Sequence, residues 1–240
     1  MRYLILSLLA IVAFSSCASY EYLTLNSSEM PKNDRKEFTW ENDTLRLIYN
    51  FHGEGGPMNL TVYNKTNKPL FINWKKSALI QDGHATSLFN AKVQITGSIS
   101  STTPVRSKYL TTSYSDLAAS FNLPLGMDLV PPSSDIKKEL VAIQETGALP
   151  SLPRDSAHAE KKTDSYGVTA KFTRFSFDET QSPFQFKSYL TFVLGNNDAT
   201  EFAVQHSFYA QQVLLSSDDP EYFSLYRPEG DNLYIKQRAQ

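Results

Sequence analysis

The chain predicts an all-β domain, an immunoglobulin-like β-sandwich with long irregular loops in the middle of the chain, and three observations carry that prediction. Near the C-terminus Phe184, Phe186, Leu190, Phe192 and Leu194 fall on one parity, with Gln185, Lys187 and Thr191 on the other. Gly195-Asn196-Asn197-Asp198 then turns the chain, and Phe202, Val204, His206 and Phe208 repeat the alternation. A period of two with one apolar face marks a strand laid against a core, and two such runs about a turn make a hairpin. The second observation is another hairpin nearer the N-terminus. Leu45, Leu47, Tyr49 and Phe51 alternate with Arg46, Ile48, Asn50 and His52, Gly53-Glu54-Gly55-Gly56-Pro57 makes the turn, and Leu60 and Val62 resume the period. Third, turn clusters recur at short intervals and almost no stretch holds helical spacing, which is the pattern of a sandwich.

The remaining elements follow in order. Ala18 to Lys36 is polar and reads as a tether contributing one edge strand from YEYLTL at 20–25. Asn64-Lys65-Thr66-Asn67-Lys68-Pro69 is a turn, after which Leu70, Ile72 and Trp74 share the buried parity of a strand. Ala78 to Gln81 is a short strand closed by Asp82-Gly83, with weaker strands over 87–90 and 93–99. Six prolines from Pro104 to Pro153 break up residues 101–165, which read as long loops around one element at Ile136, Leu140 and Ile143, whose spacing is helical but whose Val/Ile content and preceding Pro-Pro-Ser favour a strand. Gly147 to Thr163 has the composition of a mobile loop. Val168, Ala170 and Phe172 share a parity that Phe175 and Phe177 break, which predicts a bulge near Thr173-Arg174. Pro220 to Tyr226 suits one helical turn, and Leu233 to Lys236 a last strand.

Residues 1–17, MRYLILSLLAIVAFSSC, decide where the chain goes. A basic Arg2 precedes the apolar run Tyr3 to Phe14, which is too short to span a bilayer and has the length of a secretory signal core. Ser15-Ser16-Cys17 resembles the lipobox of bacterial lipoproteins, with Phe14 where Leu is usual. That resemblance implies removal of residues 1–16, acylation of Cys17 by a palmitate-type chain, and membrane attachment through the lipid. The domains then divide as signal peptide 1–16, lipidated N-terminus and tether 17–36, and β-sandwich 37–240. VYNKTNKPLFINW, the Pro-Pro-Ser at 131–133 and SPFQFKSYLTF are similar to segments of β-rich lipoproteins of the Bacteroidetes. Those motifs are turns and packing positions, so they support a fold and transfer no site. Surface-exported members of that group tend to carry an acidic run after the cysteine, and Cys17-Ala18-Ser19-Tyr20-Glu21-Tyr22 lacks one. The resemblance therefore implies the periplasmic face of the outer membrane, with surface exposure as the alternative.

Composition narrows the function classes. A net charge of −2 with 20% charged residues offers no concentrated basic surface, so nucleic acid is excluded as a partner. Cys17 is the sole cysteine, so the domain has no internal disulfide and rests on packing. No phosphate loop, dinucleotide fingerprint, zinc motif, nucleophile elbow or calcium loop is present, and no catalytic residue, metal or cofactor is assigned. His52, His84, His158 and His206 are scattered, and none has a second ligand at metal spacing. His206 falls among Phe202, Val204 and Phe208, where a core histidine hydrogen-bonded to backbone is expected. Lys65, Lys68, Lys75 and Lys76 read as a solvated edge. Asp43-Thr44-Leu45 and Asp155-Ser156-Ala157 match the short pattern of Bacteroidetes protein O-glycosylation, which marks Ser156 and Thr44 as acceptors.

Three classes of function remain. The favoured one is a non-catalytic, lipid-anchored binding or scaffold module, with an envelope protein or glycan as partner and loops 101–165 as contact surface. The second is a fimbrillin-like adhesin or pilus subunit, for which Arg35 suits proteolytic processing. The third is an envelope hydrolase, for which no residue set is nameable.

Overall fold

The structure, a computed structural model, describes residues 19–89, 94–99, 117–122, 126–144, 149, 152–153, 157–163, 167, 169–195 and 200–237. Among them are seventeen strands and no α-helix. They are β1 (Ser19–Asn26), β2 (Phe38–Glu41), β3 (Leu45–Asn50), β4 (Gly53–Glu54), β5 (Pro57–Asn64) and β6 (Leu70–Asn73). Next come β7 (Ala78–Gln81), β8 (His84–Ser87), β9 (Gln94–Ile99), β10 (Leu117–Asn122), β11 (Met127–Val130) and β12 (Asp135–Ala142). The last five are β13 (His158–Thr163), β14 (Thr169–Ser176), β15 (Gln185–Leu194), β16 (Thr200–Ser216) and β17 (Asn232–Gln237).

The 17-residue β16 organises the larger sheet, whose order runs β11-β6-β15-β16-β1-β17-β4. Its first half pairs with β15 through Leu194↔Thr200 to Gln185↔Tyr209, which is the hairpin the alternation predicts. Beyond β15 the same edge takes up β14, and β13 pairs with β14. The other edge holds β1, from Asn26↔Tyr209 to Tyr20↔Ser216. The smaller sheet is β12-β5-β3-β2, and β9 and β10 pair separately. All these pairings are antiparallel except β17 with β4.

Inward side chains of the two main sheets share one core. Leu47, Tyr49, Phe51, Leu60 and Val62 from the smaller sheet cluster with Ile72, Phe186, Leu190, Phe192 and Phe208 from the larger. The centre is aromatic: Phe208 lies 5.1–5.3 Å from Phe38, Phe51 and Tyr49 at steep interplanar angles, the edge-to-face arrangement that ring quadrupoles favour. A second cluster of Tyr20, Tyr22, Phe172, Leu214 and Phe223 covers the outer face of the larger sheet. Asn64 pins the predicted turn at 64–69: its buried amide reaches the carbonyls of Lys68, Val130 and Pro131, while its Oδ1 accepts the Thr66 N–H at 3.0 Å. Gly56, at φ +65°, lets the β3–β5 connection press against β12, where a Cβ would lie 2.8 Å from Ile143 Cγ1.

Several expectations are corrected. Residues 19–26 are neither a tether nor an edge strand: β1 is hydrogen-bonded on both sides, to β16 and β17. Its Tyr20 and Tyr22 pack outward under the second cluster while Leu23 and Leu25 pack inward, so both faces are buried and the strand lacks the usual alternation. The boundary at 36/37 therefore cuts through one folded unit. The described part of 101–165 contains β10, β11, β12 and β13, so it is less irregular than its prolines suggest. Residues 158–163, read as mobile loop, form β13, and Leu149 is buried. No bulge interrupts β14; its even residues Ala170 and Phe172 join the outer cluster and the odd Phe175 joins the core, because both faces are covered. Trp74 begins a 3-10 turn and does not extend β6. The strand expected at 87–90 lies earlier, at β8. Residues 219–226 form successive turns, with Phe223 N–H donating to the Asp219 carbonyl at 2.9 Å.

Candidate functional site

The C-terminal hairpin sets Ser188 directly opposite His206. Both occupy the inward parity and are sealed in the core, at 0% and 2% exposure. Tyr49 reaches across from β3, its hydroxyl 3.1 Å from His206 Nδ1 and 3.3 Å from Ser188 Oγ. Trp40 lies against the imidazole with ring centres 5.0 Å apart. Serine, histidine and tyrosine are residue types of acyl-transfer chemistry, which needs the base to contact the nucleophile and a third group to orient the base. Here Ser188 meets the phenol and not the imidazole. Burial alone pushes His206 down to about 4, so it is neutral at neutral pH. Burial also raises Tyr49 well above the ordinary phenol range, so it keeps its proton. The three groups satisfy one another's polar atoms inside an apolar core, which they would otherwise destabilise.

His206 is thus the hydrogen-bonded core histidine expected, with a tyrosine side chain where a backbone partner was anticipated. Its two partners were missed, although a partial signal exists: Ser188 and His206 both fall on the inward parity of the hairpin. A second buried polar group, Glu21, was also missed. It faces the core from β1 at 3% exposure and accepts the Leu149 N–H at 2.9 Å and Gln237 Nε2 at 2.6 Å. Desolvation raises its pKa, and those two donors partly offset the rise. Lys32 and Asp231 make a largely buried ion pair at 2.7 Å, and Lys32 Nζ also donates to the Leu25 carbonyl at 2.7 Å.

The other residues singled out do not converge. His52 stacks on Tyr226 with ring centres 5.3 Å apart, while His84 and His158 are exposed on β8 and β13. No group of three or more His, Cys, Asp or Glu side chains is placed to hold a metal ion among the described residues. Lys76 pairs with Glu201 at 2.8 Å, Lys65 donates to the Asn42 carbonyl, and Lys75 lies over the Phe89 ring. Trp74 is buried and its indole N–H donates to Asp128 Oδ2 at 2.9 Å. Thr44 is half-buried in the bend before β3, and Ser156 and Cys17 lie outside the described residues. Residues 101–116, the first part of the 101–165 stretch expected to make contacts, lie outside them as well. Arg35 is exposed in a turn whose carbonyl accepts the Gly230 N–H at 2.9 Å.

The surface offers an open hollow of about 710 Å³ beside the smaller sheet, where Trp40, Ile48 and Pro31 meet Arg46 and Glu41. An indole edge next to a guanidinium and a carboxylate suits contact with an extended peptide or a sugar chain. Within the described residues no helix is long and apolar enough to cross a membrane. The chain matches no protein-family model, no curated protein and no solved structure.

Proposed function

We propose that this chain is a lipid-anchored protein of the cell envelope whose all-β domain, an immunoglobulin-like sandwich, binds or scaffolds another envelope component without catalysing a reaction. The observation that carries this reading is the fate of Ser188, Tyr49 and His206. Among the described residues this cluster, with the residue types of a nucleophile and a base, is closed inside the core, and its hydrogen bonds serve packing. What remains accessible is surface, and the hollow beside Trp40 is suited to an envelope protein or glycan. The immunoglobulin-like assignment is supported by two mainly antiparallel sheets that share an inward-facing aromatic core.

Attachment is read from Ser15-Ser16-Cys17, and the periplasmic face of the outer membrane from the missing acidic run. Only two residue steps separate Cys17 from Ser19, the first residue of β1. That distance is at most about 7 Å of extended chain, so the lipid would hold the sheet close to the bilayer with no searching tether. Cys17→Ala is expected to leave the chain unprocessed or released from membranes. A Cys17→Ala chain that still fractionates with the outer membrane and incorporates a fatty-acid label refutes the anchor. A hydrolase turnover abolished by His206→Gln, with the fold intact, refutes the non-catalytic reading.

One observation favours the adhesin or pilus reading. β1 lies between β16 and β17 and precedes the exposed Arg35, so cleavage after Arg35 and loss of 19–35 would leave a strand-wide groove. Limited digestion with an arginine-specific protease tests this: the reading requires cleavage at Arg35 followed by assembly into oligomers.

A further inference from the structure

We infer that the end of the larger sheet where β1 begins is a seat for the phosphate headgroup of an anionic phospholipid, in the bilayer that carries the lipid anchor. The inference rests on the anchored reading above and adds to it a specific membrane-contacting surface. At this end β16 stops at Ser216, while residues 169–171 of β14 carry the β13–β14 hairpin beyond it. Between the projecting hairpin and the start of β1 lies a groove of about 480 Å³. Its lining includes Ser19, Tyr20, Phe172 and Leu215, with Lys161 and Lys171 from the hairpin.

The two lysines are the unusual feature. Lys161 and Lys171 are directly opposed across the antiparallel pair, and both are exposed. Like charges in that position repel, and a sheet ordinarily places an opposite charge there. Glu160, the nearest acid in sequence, is engaged by Arg174 through bonds of 2.8 and 3.1 Å. At the same end of the sheet Asp219 accepts the Tyr20 hydroxyl at 2.8 Å. No carboxylate among the described residues stands within ion-pair distance of Lys161 or Lys171. Two unneutralised cations at the rim of a partly apolar groove call for an anion with an apolar continuation.

The position of the chain's start selects the occupant. Ser19 lines the groove and Cys17 is two residues away, so an acyl group on Cys17 brings the lysines to headgroup depth. Exposed Lys162, beside Lys161, adds a third positive charge to the same hairpin. Each lysine near an anionic leaflet strengthens attachment by roughly fivefold, so three account for a marked preference between lipids.

The test uses the chain from residue 17 with Cys17→Ser, which keeps every described strand and lacks the acyl group. Sedimentation with phosphatidylglycerol-containing vesicles is compared with sedimentation on purely zwitterionic vesicles. Binding is expected only to the anionic vesicles, weakened by added salt and reduced about 30-fold in Lys161→Gln/Lys171→Gln, at unchanged melting temperature. Equal binding to both vesicles, or full binding by the double variant, overturns the inference. Displacement by millimolar inorganic phosphate at constant ionic strength would assign the seat to a free anion and overturn the membrane occupant. Because this chain cannot be acylated, the outcome is independent of the anchor, which mass analysis of the natural Cys17 peptide tests separately.

Discussion

Acidification should destabilise this protein through His206 in a window the structure defines. The imidazole is closed in the core beside Tyr49, Ser188 and Trp40, and burial lowers it from 6.5 to about 4. In the unfolded chain it titrates near its ordinary value. Between those two values the unfolded state binds a proton that the folded state refuses, so stability falls as pH falls. The contribution is fully present above about pH 6.5, declines through the window and is flat below about pH 4. Each tenfold rise in proton activity costs about 1.4 kcal/mol, and allowing for local relaxation the whole window amounts to about 2–3 kcal/mol. In a chain of this size that lowers the melting temperature by roughly 4–12 °C. The assay is circular-dichroism melting across the window for the parent and His206→Gln. Glutamine retains a group able to accept the Tyr49 hydroxyl and does not titrate, while carboxylates such as Glu21 act alike in both chains and cancel in the difference. The two curves are expected to converge as pH falls. Parallel curves from neutral pH to about pH 4 would refute the argument that a sealed, neutral imidazole is what the core holds.

Other consequences concern packing and charge. Phe192, fully buried and stacked on Phe202 with centres 5.6 Å apart, should cost about 3–5 kcal/mol when cut to alanine, whereas Lys187→Ala on the exposed parity should cost little; denaturant melts separate the two. Equal, small losses would show that the buried face is misassigned. Lys32→Met strips the charge partner from Asp231, whose Oδ1 already has no hydrogen-bond partner, and should cost about 3 kcal/mol in urea unfolding. Adding Asp231→Asn to that variant should restore part of the loss, because the stranded charge is then gone.

The hairpins were legible because each has one face against the core and one against water. Phe184 to Phe208 and Leu45 to Val62 announce themselves by parity, and the structure pairs them as read. β1 was illegible for the opposite reason. With tyrosines packed on its outer face and Glu21 turned inward, its residues show neither alternation nor an apolar run, so a strand paired on both sides has the composition of a linker. β14 misled in a related way: a parity break looks like a bulge unless the second face also has a cover, and that cover comes from Phe223, some fifty residues further on. The polar core could have been anticipated in part, since Ser188 and His206 are both on an inward parity. Tyr49 could not, because its contact with them joins residues in different sheets, and sequence spacing carries no register between sheets. The Lys161–Lys171 opposition likewise became visible only when β13 and β14 were paired.

The place of β1 also sets an order of events. Its two neighbours, β16 and β17, are built from residues 200–237, so the earliest of the described strands has both its partners among the latest. Until they arrive, its hydrogen-bonding groups are open on both sides, and closure must join segments separated by nearly the whole chain. Such distant pairings slow folding, because the entropy of closing the loop is lost before the contacts reward it. The delay leaves β1 unpaired on both sides until residues 200–237 have been made. An enzyme acting on this strand before that point would meet it open on both sides, and once the C-terminal segment docks, the same region becomes the middle of a sheet.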